Sequence, residues 1–509
     1  MENKRTEKSI KNVIVAIIVQ IMTLLLSFVN RTLLVKSLGV ESVSLNGLFT
    51  EVIAMLALTE LGVGSAIIYN LYKPLAERNI KKICQLMKLF KTAYRIIAIV
   101  IFLIGCAMIP IIHLLVNDIK YSKEYIRMVY FLFVVQTSTS YLFSYKVSLL
   151  NADQKKYVHS IIQVIVKCIS TVFSALILFI THSFIAYLLV LIIFNFITNV
   201  IASIFVDNRY PYLKEDYGKL PAKEKKRVFS NIKNLFIKNV SAKVTNSTDN
   251  ILISILVGTL SVGMYTNYSM IFNAIKQFSV QISGALAGSL GNLFASEESD
   301  QCIRVLNRMT FIFFMIASVL ASSLYCCITP FIIAWLGNDW ILKNLVVFIC
   351  CLNLFIDFGK IPLWQSLEVS GLFEKDKNIS IIGTVANLFV SIVFGIRWGI
   401  LGIFLGTLVT YVIQIILKIY LLFKSYFESS PKHYYFKWLG YSLIAILELM
   451  ISKQVCEKIV LSNNIIYFFV TAGIGMIISL TINIVLFART QEMSYFIQLC
   501  KKLINGSSV

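Results

Sequence analysis

DNRYPYLKEDYGKLPAKEKKRVFSNIKNLFIK, residues Asp207 to Lys238, is the longest polar run in a chain of 509 residues that is otherwise mostly apolar. Nine of its residues are Lys or Arg, and two, Pro211 and Pro221, lack the backbone donor that a helix interior needs. It is therefore a poor membrane span and a poor packed core. On each side of it lie about six long apolar segments. The run reads as a basic linker between two helical halves.

The apolar segments set the fold class. The chain is 58% hydrophobic and only 14% charged, with mean hydropathy +0.79. A stretch of about 18 apolar residues spans a bilayer as a helix, and such stretches recur along the chain. A membrane β-barrel would instead alternate apolar and polar residues, because its lumen is wet. The expectation is an all-α polytopic membrane protein with about fourteen transmembrane helices. They are expected at about 11–34, 44–71, 92–116, 125–150, 158–180, 183–206, 239–257, 264–294, 309–329, 344–369, 378–396, 399–423, 436–452 and 464–488. This divides the chain into a six-helix lobe over 1–206, the linker 207–238, a second six-helix lobe over 239–423, and two further helices with a tail over 424–509.

Connections that alternate along this map differ in charge. Lys73 to Lys91 holds six basic residues and the central linker nine, whereas the intervening connections hold few. By the positive-inside rule the linker and both termini face the cytoplasm. The net charge of +21 then reflects topology and attraction to anionic lipid headgroups, and nucleic acid is not an expected partner. The basic start (Lys4, Arg5, Lys8, Lys11) leads into a long apolar stretch without a small-residue cleavage site, so it reads as a first transmembrane helix. The ten cysteines show no CxxC spacing and read as small apolar fillers.

The halves resemble each other weakly. Ile10-Lys11-Asn12 opens the first and Ile232-Lys233-Asn234 the second, and Gly62-Val63-Gly64-Ser65-Ala66 parallels Gly284-Ala285-Leu286-Ala287-Gly288. Two repeats of the same orientation place a site where they meet.

No Walker A loop, G-x-S-x-G, HExxH or two-Cys/His metal spacing is present, so no enzyme, cofactor or metal site is expected. The driving force would come from an ion gradient, the membrane potential or consumption of the product. The unusual feature is charge within the helices, where a bare ion costs several kcal/mol unless it meets a partner or a wet cavity. Arg95, Arg127, Lys146 and Lys418 lie where long side chains snorkel to the surface, and Glu368 and Glu448 lie near helix ends. Arg31, Lys167, Lys243, Lys276 and Lys360 are the cationic candidates for binding an anionic substrate. Asp249, Glu60 and Asp357 are candidates for coupling to H+ or Na+. Asp357 and Lys360, three apart, share a helix face and are placed to pair, and Pro362 should kink the helix beside them.

Arg31-Thr-Leu-Leu-x-x-x-Leu-Gly39, Leu45-Asn46-Gly47-Leu48-Phe49, Glu60-Leu61-Gly62-Val63-Gly64-Ser65-Ala66-Ile67 and Tyr69-x-Leu71-Tyr72-Lys73-Pro74-Leu75-Ala76 resemble the opening of polysaccharide repeat-unit flippases. These are the Wzx-type members of the multidrug/oligosaccharidyl-lipid/polysaccharide exporter superfamily. The resemblance implies fourteen helices in a 6+6+2 pattern and alternating access of two lobes in the cytoplasmic membrane of a bacterium. The implied substrate is an undecaprenyl-pyrophosphate-linked oligosaccharide, and membrane lipids, a polysaccharide polymerase and assembly proteins are the implied partners. Related lipid-flipping members use arginines in the first helix; in this chain that helix offers Arg31, with Gln20 and Asn30 as its other strongly polar groups. The alternatives are a cation-coupled multidrug exporter of the same fold, which would show twelve helices and a more acidic lumen, and a flippase for the peptidoglycan precursor. A membrane glycosyltransferase or polymerase would carry a substantial catalytic loop, and the outer loops here are short.

Overall fold

A computed structural model describes residues 2–60, 63–226, 228–229, 248–459 and 461–504. Among them lie sixteen α-helices and no strand. They are α1 (Glu2–Leu56), α2 (Val63–Ala76), α3 (Ile80–Met108), α4 (Lys123–Ala152), α5 (Lys156–Thr181), α6 (Phe184–Arg209), α7 (Asp249–Leu256) and α8 (Thr259–Ser296). Then follow α9 (Ser299–Leu336), α10 (Asn344–Gly359), α11 (Ile361–Val369), α12 (Phe373–Trp398), α13 (Ile400–Ser425), α14 (Lys432–Glu457), α15 (Asn464–Phe487) and α16 (Gln491–Ile504). Ten helices among the described residues are long and apolar enough to cross a membrane. The chain is an all-α polytopic membrane protein. It forms two compact units, Met1–Gly263 and Met264–Val509.

In the first unit, α1 carries the first expected span and the start of the second. The two join at Gly39, whose φ of 73° is a left-handed conformation that glycine adopts without cost. The second span then breaks into a 3-10 turn over Ala57–Glu60 before α2 begins. Side chains of Asn79, Ser122 and Ser183 accept from the first free amides of α3, α4 and α6, which fixes where those helices start. Along α3, Ile83, Met87, Phe90, Tyr94, Ile97 and Ile101 recur at helical spacing and are buried, meeting Val63, Ile67 and Leu71 of α2. On its other side Ile96, Ile99 and Leu103 are exposed, as a lipid-facing surface requires.

The linker corrects one expectation. Tyr210, Leu220 and Val228 are buried in the same core cluster as Leu86 and Phe90, so part of this polar run is core after all. Gln85 Nε2 donates to the Tyr217 carbonyl at 3.0 Å, and Lys88 Nζ lies 2.9 Å from Asp216 Oδ1. That ammonium holds the Asp216 carboxyl below its ordinary range. Lys82 pairs with Glu224. Sparse apolar residues between charges anchor the segment, a spacing too irregular to stand out in the sequence.

In the second unit the helices sort by burial. Of the most apolar stretch of α9, 72% is buried, and of the stretch spanning α10 and α11, 78%, whereas the figure for α15 is 17%. Between apolar helices in lipid, association rests on close packing and hydrogen bonds rather than on the hydrophobic effect. Gly406 shows the first: a Cβ there would come within 2.7 Å of the Ser391 backbone nitrogen, so its absence lets α13 lie against α12. Asn483 Nδ2 of α15, donating to Ser318 Oγ of α9 at 3.0 Å, shows the second.

Candidate functional site

Two polar centres lie among the helices, one in each unit. In the second unit, α10 ends at Gly359 and α11 begins at Ile361, because Pro362 in the first turn of α11 cannot continue the preceding hydrogen-bond ladder. Lys360 stands at that break. Its Nζ lies 2.5 Å from Asp357 Oδ1, and Lys276 Nζ, from α8, lies 2.6 Å from Asp357 Oδ2. Tyr411 of α13 donates its hydroxyl to Asp357 Oδ1 at 2.7 Å, and Lys360 Nζ sits 3.9 Å from the Tyr411 ring centroid. Two lysines on one carboxylate leave an excess positive charge, satisfied in part by an aromatic face. The Lys276 side chain is 37% exposed against 12% for Asp357, so the outer cation is the one open to a ligand.

This cluster extends through Trp364, whose ring lies 5.5 Å from Lys360 Nζ and 4.7 Å from Lys418 Nζ. Lys418 is 2% exposed and pairs with Asp376. The snorkelling expected of Lys418 is corrected accordingly, since it ends on a carboxylate inside the protein. Lys146 reaches toward the end of α6, meeting the half-exposed Asp207 at 2.6 Å and Ser203 Oγ at 2.7 Å. Helix-end position told of the direction of these side chains and not of what met them. Glu448 also departs from its expected helix-end setting: it is fully buried and accepts from Ser479 of α15.

In the first unit, Lys167 of α5 donates to Ser27 Oγ at 2.7 Å and to the Thr23 carbonyl at 3.3 Å, both on α1. One turn on, Asn30 Nδ2 donates to Thr171 Oγ1 at 2.8 Å, so α5 is laced to α1 by three hydrogen bonds through Lys167 and Thr171, residues one helical turn apart. Arg31 is buried and donates to the Gly263 carbonyl at 3.3 Å. Glu60 occupies the turn between α1 and α2, where Tyr94 donates to Oε1 at 3.0 Å and Tyr141 is a second hydrogen-bond donor. Beside it opens a cavity of about 470 Å³ bordered by α2 to α6, with Ser140, Ser144, Asn151, Gln163, Thr198 and Asn199 among its lining. Asp249 opens α7. Lys243 lies outside the described residues.

The structure thus brings together Lys276, Lys360 and Asp357, and it sets Arg31 and Lys167 on α1 and α5 of the other unit. Tyr411, Trp364 and Tyr94 belong to these centres and went unread in the sequence. Among 24 tyrosines and 5 tryptophans nothing local marks them.

These features define a multi-pass membrane protein with the fold shared by exporters of the multidrug/oligosaccharidyl-lipid/polysaccharide superfamily. Its fold is similar to that of the lipid II flippase MurJ in an inward closed conformation, with TM-score 0.72 and 15% identity over 94% of this chain and 99% of that one. It is similar also to an inward-facing multidrug resistance MATE family transporter of the MOP superfamily (TM-score 0.54, 13% identity, 80% and 97% covered). A third likeness is to a point-mutant form of the Vibrio cholerae MATE transporter VcmN (TM-score 0.54, 12% identity, 82% and 96% covered). No curated protein sequence matches significantly. Residues 9–287 match the family described as polysaccharide biosynthesis protein, and the chain belongs to that family. Family and fold agree with the resemblance read from Arg31 to Ala76.

Proposed function

We propose that the protein is a flippase that moves an undecaprenyl-pyrophosphate-linked oligosaccharide repeat unit across the bacterial cytoplasmic membrane by alternating access, for capsule or O-antigen biosynthesis. The observation that carries this reading is the polysaccharide-biosynthesis family match over 9–287, joined to the fold of a lipid II flippase over nearly the whole chain. A pyrophosphate bearing a hydrophilic oligosaccharide cannot cross about 30 Å of hydrocarbon unaided. In this reading Lys276 and Lys360 meet the pyrophosphate, with Arg31, Lys167 and Lys243 as further cationic contacts. Glu60, Asp249 and Asp357 are the carboxylates through which an H+ or Na+ gradient would bias the cycle. The expected partners are the polymerase and assembly proteins that consume the product, and the linker and termini face the cytoplasm.

The likeness to the lipid II flippase favours a second reading, transport of the peptidoglycan precursor. Depletion separates the two. Loss of surface polysaccharide with continued growth supports the first reading, and lysis with accumulated peptidoglycan precursor supports the second. Topology has its own check: an impermeant thiol reagent applied outside should label Asn338→Cys and miss Lys219→Cys in a cysteine-free background.

A further inference from the structure

The cavity beside Glu60 has a chemistry that the cationic residues do not share. Among the described residues lining it there is no Lys or Arg. Its hydroxyls are already committed as donors: Ser140 to the Thr137 carbonyl at 2.7 Å, Ser144 to the Ser140 carbonyl at 3.1 Å, and Thr198 to the Phe194 carbonyl at 2.9 Å. A hydroxyl whose proton bonds back to its own helix keeps only its lone pairs for a ligand. Asn199 spends its amide on the Asn195 carbonyl and side-chain oxygen, and Asn151 Oδ1 is a buried acceptor that meets no donor among the described residues. The wall therefore offers many acceptors and no Lys or Arg, with Glu60 and His159 as its carboxyl and imidazole groups and Gln163 and Asn195 as further amides.

Such a wall selects its ligand. Phosphate is held best by lysine or arginine, and neither lines this cavity. An ammonium needs a carboxylate, and Glu60 already takes hydrogen bonds from the phenols of Tyr94 and Tyr141. A neutral polyol brings many O–H donors to acceptors that are already in place. The cavity's volume of about 470 Å³ falls within the range of small-molecule pockets, about 300–1,000 Å³.

We propose that this cavity is a carbohydrate subsite, in which Ser144, Asn151 and Thr198 accept hydrogen bonds from sugar hydroxyls of the transported headgroup. The assignment rests on the flippase reading above and names where its specificity for the glycan resides. A buried acceptor left without its donor is penalised, so the subsite distinguishes a long glycan from a truncated one.

The test compares two substrates in proteoliposomes: a polyprenyl pyrophosphate bearing one sugar and the same carrier bearing a full oligosaccharide. Thr198→Val keeps shape and removes the hydroxyl. It should lower oligosaccharide transport about fivefold, the worth of one hydrogen bond, and change single-sugar transport less than about twofold. Thr198→Ser, which keeps the hydroxyl, should restore the oligosaccharide rate, and this rescue separates lost binding from misfolding. Equal loss of both substrates in Thr198→Val, or no rescue by Thr198→Ser, overturns the subsite while leaving the flippase reading standing. Wild-type protein that moves neither substrate overturns the flippase reading, and the subsite with it. Saturable binding of a quaternary ammonium dye that Thr198→Val abolishes also overturns the subsite, in favour of a cation pocket.

Discussion

In the second unit two lysines and a tyrosine converge on Asp357, while in the first unit Glu60 takes its hydrogen bonds from tyrosines beside a cavity lined by hydroxyls and amides. Both centres bury a carboxylate among helices, and they satisfy it by different means. Cations hold one and neutral donors the other. A carboxylate held by ammonium groups ties the lysines around it into one charged cluster. One held by phenols stands beside a cavity that no Lys or Arg lines and whose wall is mostly hydroxyls and amides. Two halves with weak sequence similarity thus carry polar centres of different chemistry.

The strongest way to break this contrast is Asp357→Asn. It strands Lys276 and Lys360 without their carboxylate, and removal of one member of a buried ion pair costs about 3–5 kcal/mol. The thermal midpoint of the detergent-solubilised protein should fall steeply, and adding Lys360→Met should recover part of the loss. An unchanged midpoint would show that the lysines do not depend on Asp357. Next in size, Lys276→Ala should reduce polysaccharide export about tenfold or more at normal protein level if the proposed function holds, because its ammonium is the more exposed of the two groups in its ion pair. Lys360→Ala should cost both export and stability. Lys418→Ala, which removes the partner of Asp376, should cost stability first; equal export loss at normal protein levels for Lys418→Ala and Lys276→Ala would erase the distinction between them.

The carboxylates supply a smaller effect. Glu60→Gln and Asp249→Asn should slow transport in proteoliposomes by a few fold, roughly 1 kcal/mol, and flatten its response to an imposed H+ or Na+ gradient. A full gradient response in both variants would make them structural. The smallest effect concerns the linker. The Asp216 carboxyl is held below its ordinary range by Lys88, so its contribution is present above the unfolded pKa and is lost as pH falls through the folded one. Protease cleavage between Tyr217 and Lys226 should therefore rise only below about pH 4, and in Asp216→Asn this rise should be absent.

How far the sequence spoke can be judged residue by residue. Most of the expected helical spans were legible because lipid demands long apolar stretches, the greater part of 239–257 lying outside the described residues, and Pro362 marked the break at Lys360 because its ring cannot continue a helix. The pairing of Asp357 with Lys360 was legible because both lie on one helix one turn apart. Lys276 on the same carboxylate was not, since 81 residues separate it from Asp357 and only packing joins them. For the same reason depth misjudged Lys418 and Glu448, whose partners Asp376 and Ser479 come from other helices. The cavity was hidden for a different reason. Serines and threonines scattered along α4 and α6 look like tolerated polar residues until their shared face is known.

Gly39 and Gly406 are both irreplaceable, on different grounds. At Gly406 the obstacle is volume, and it grows with each atom added. At Gly39 nothing lies within 4 Å of where a Cβ would stand, so the obstacle is the handedness of the amino acid. Alanine and leucine should suffer there alike, by about 1–2 kcal/mol, whereas a D-residue introduced by chemical ligation would fit without strain. The elbow of the first helix is specified by chirality, and side-chain size has no part in it.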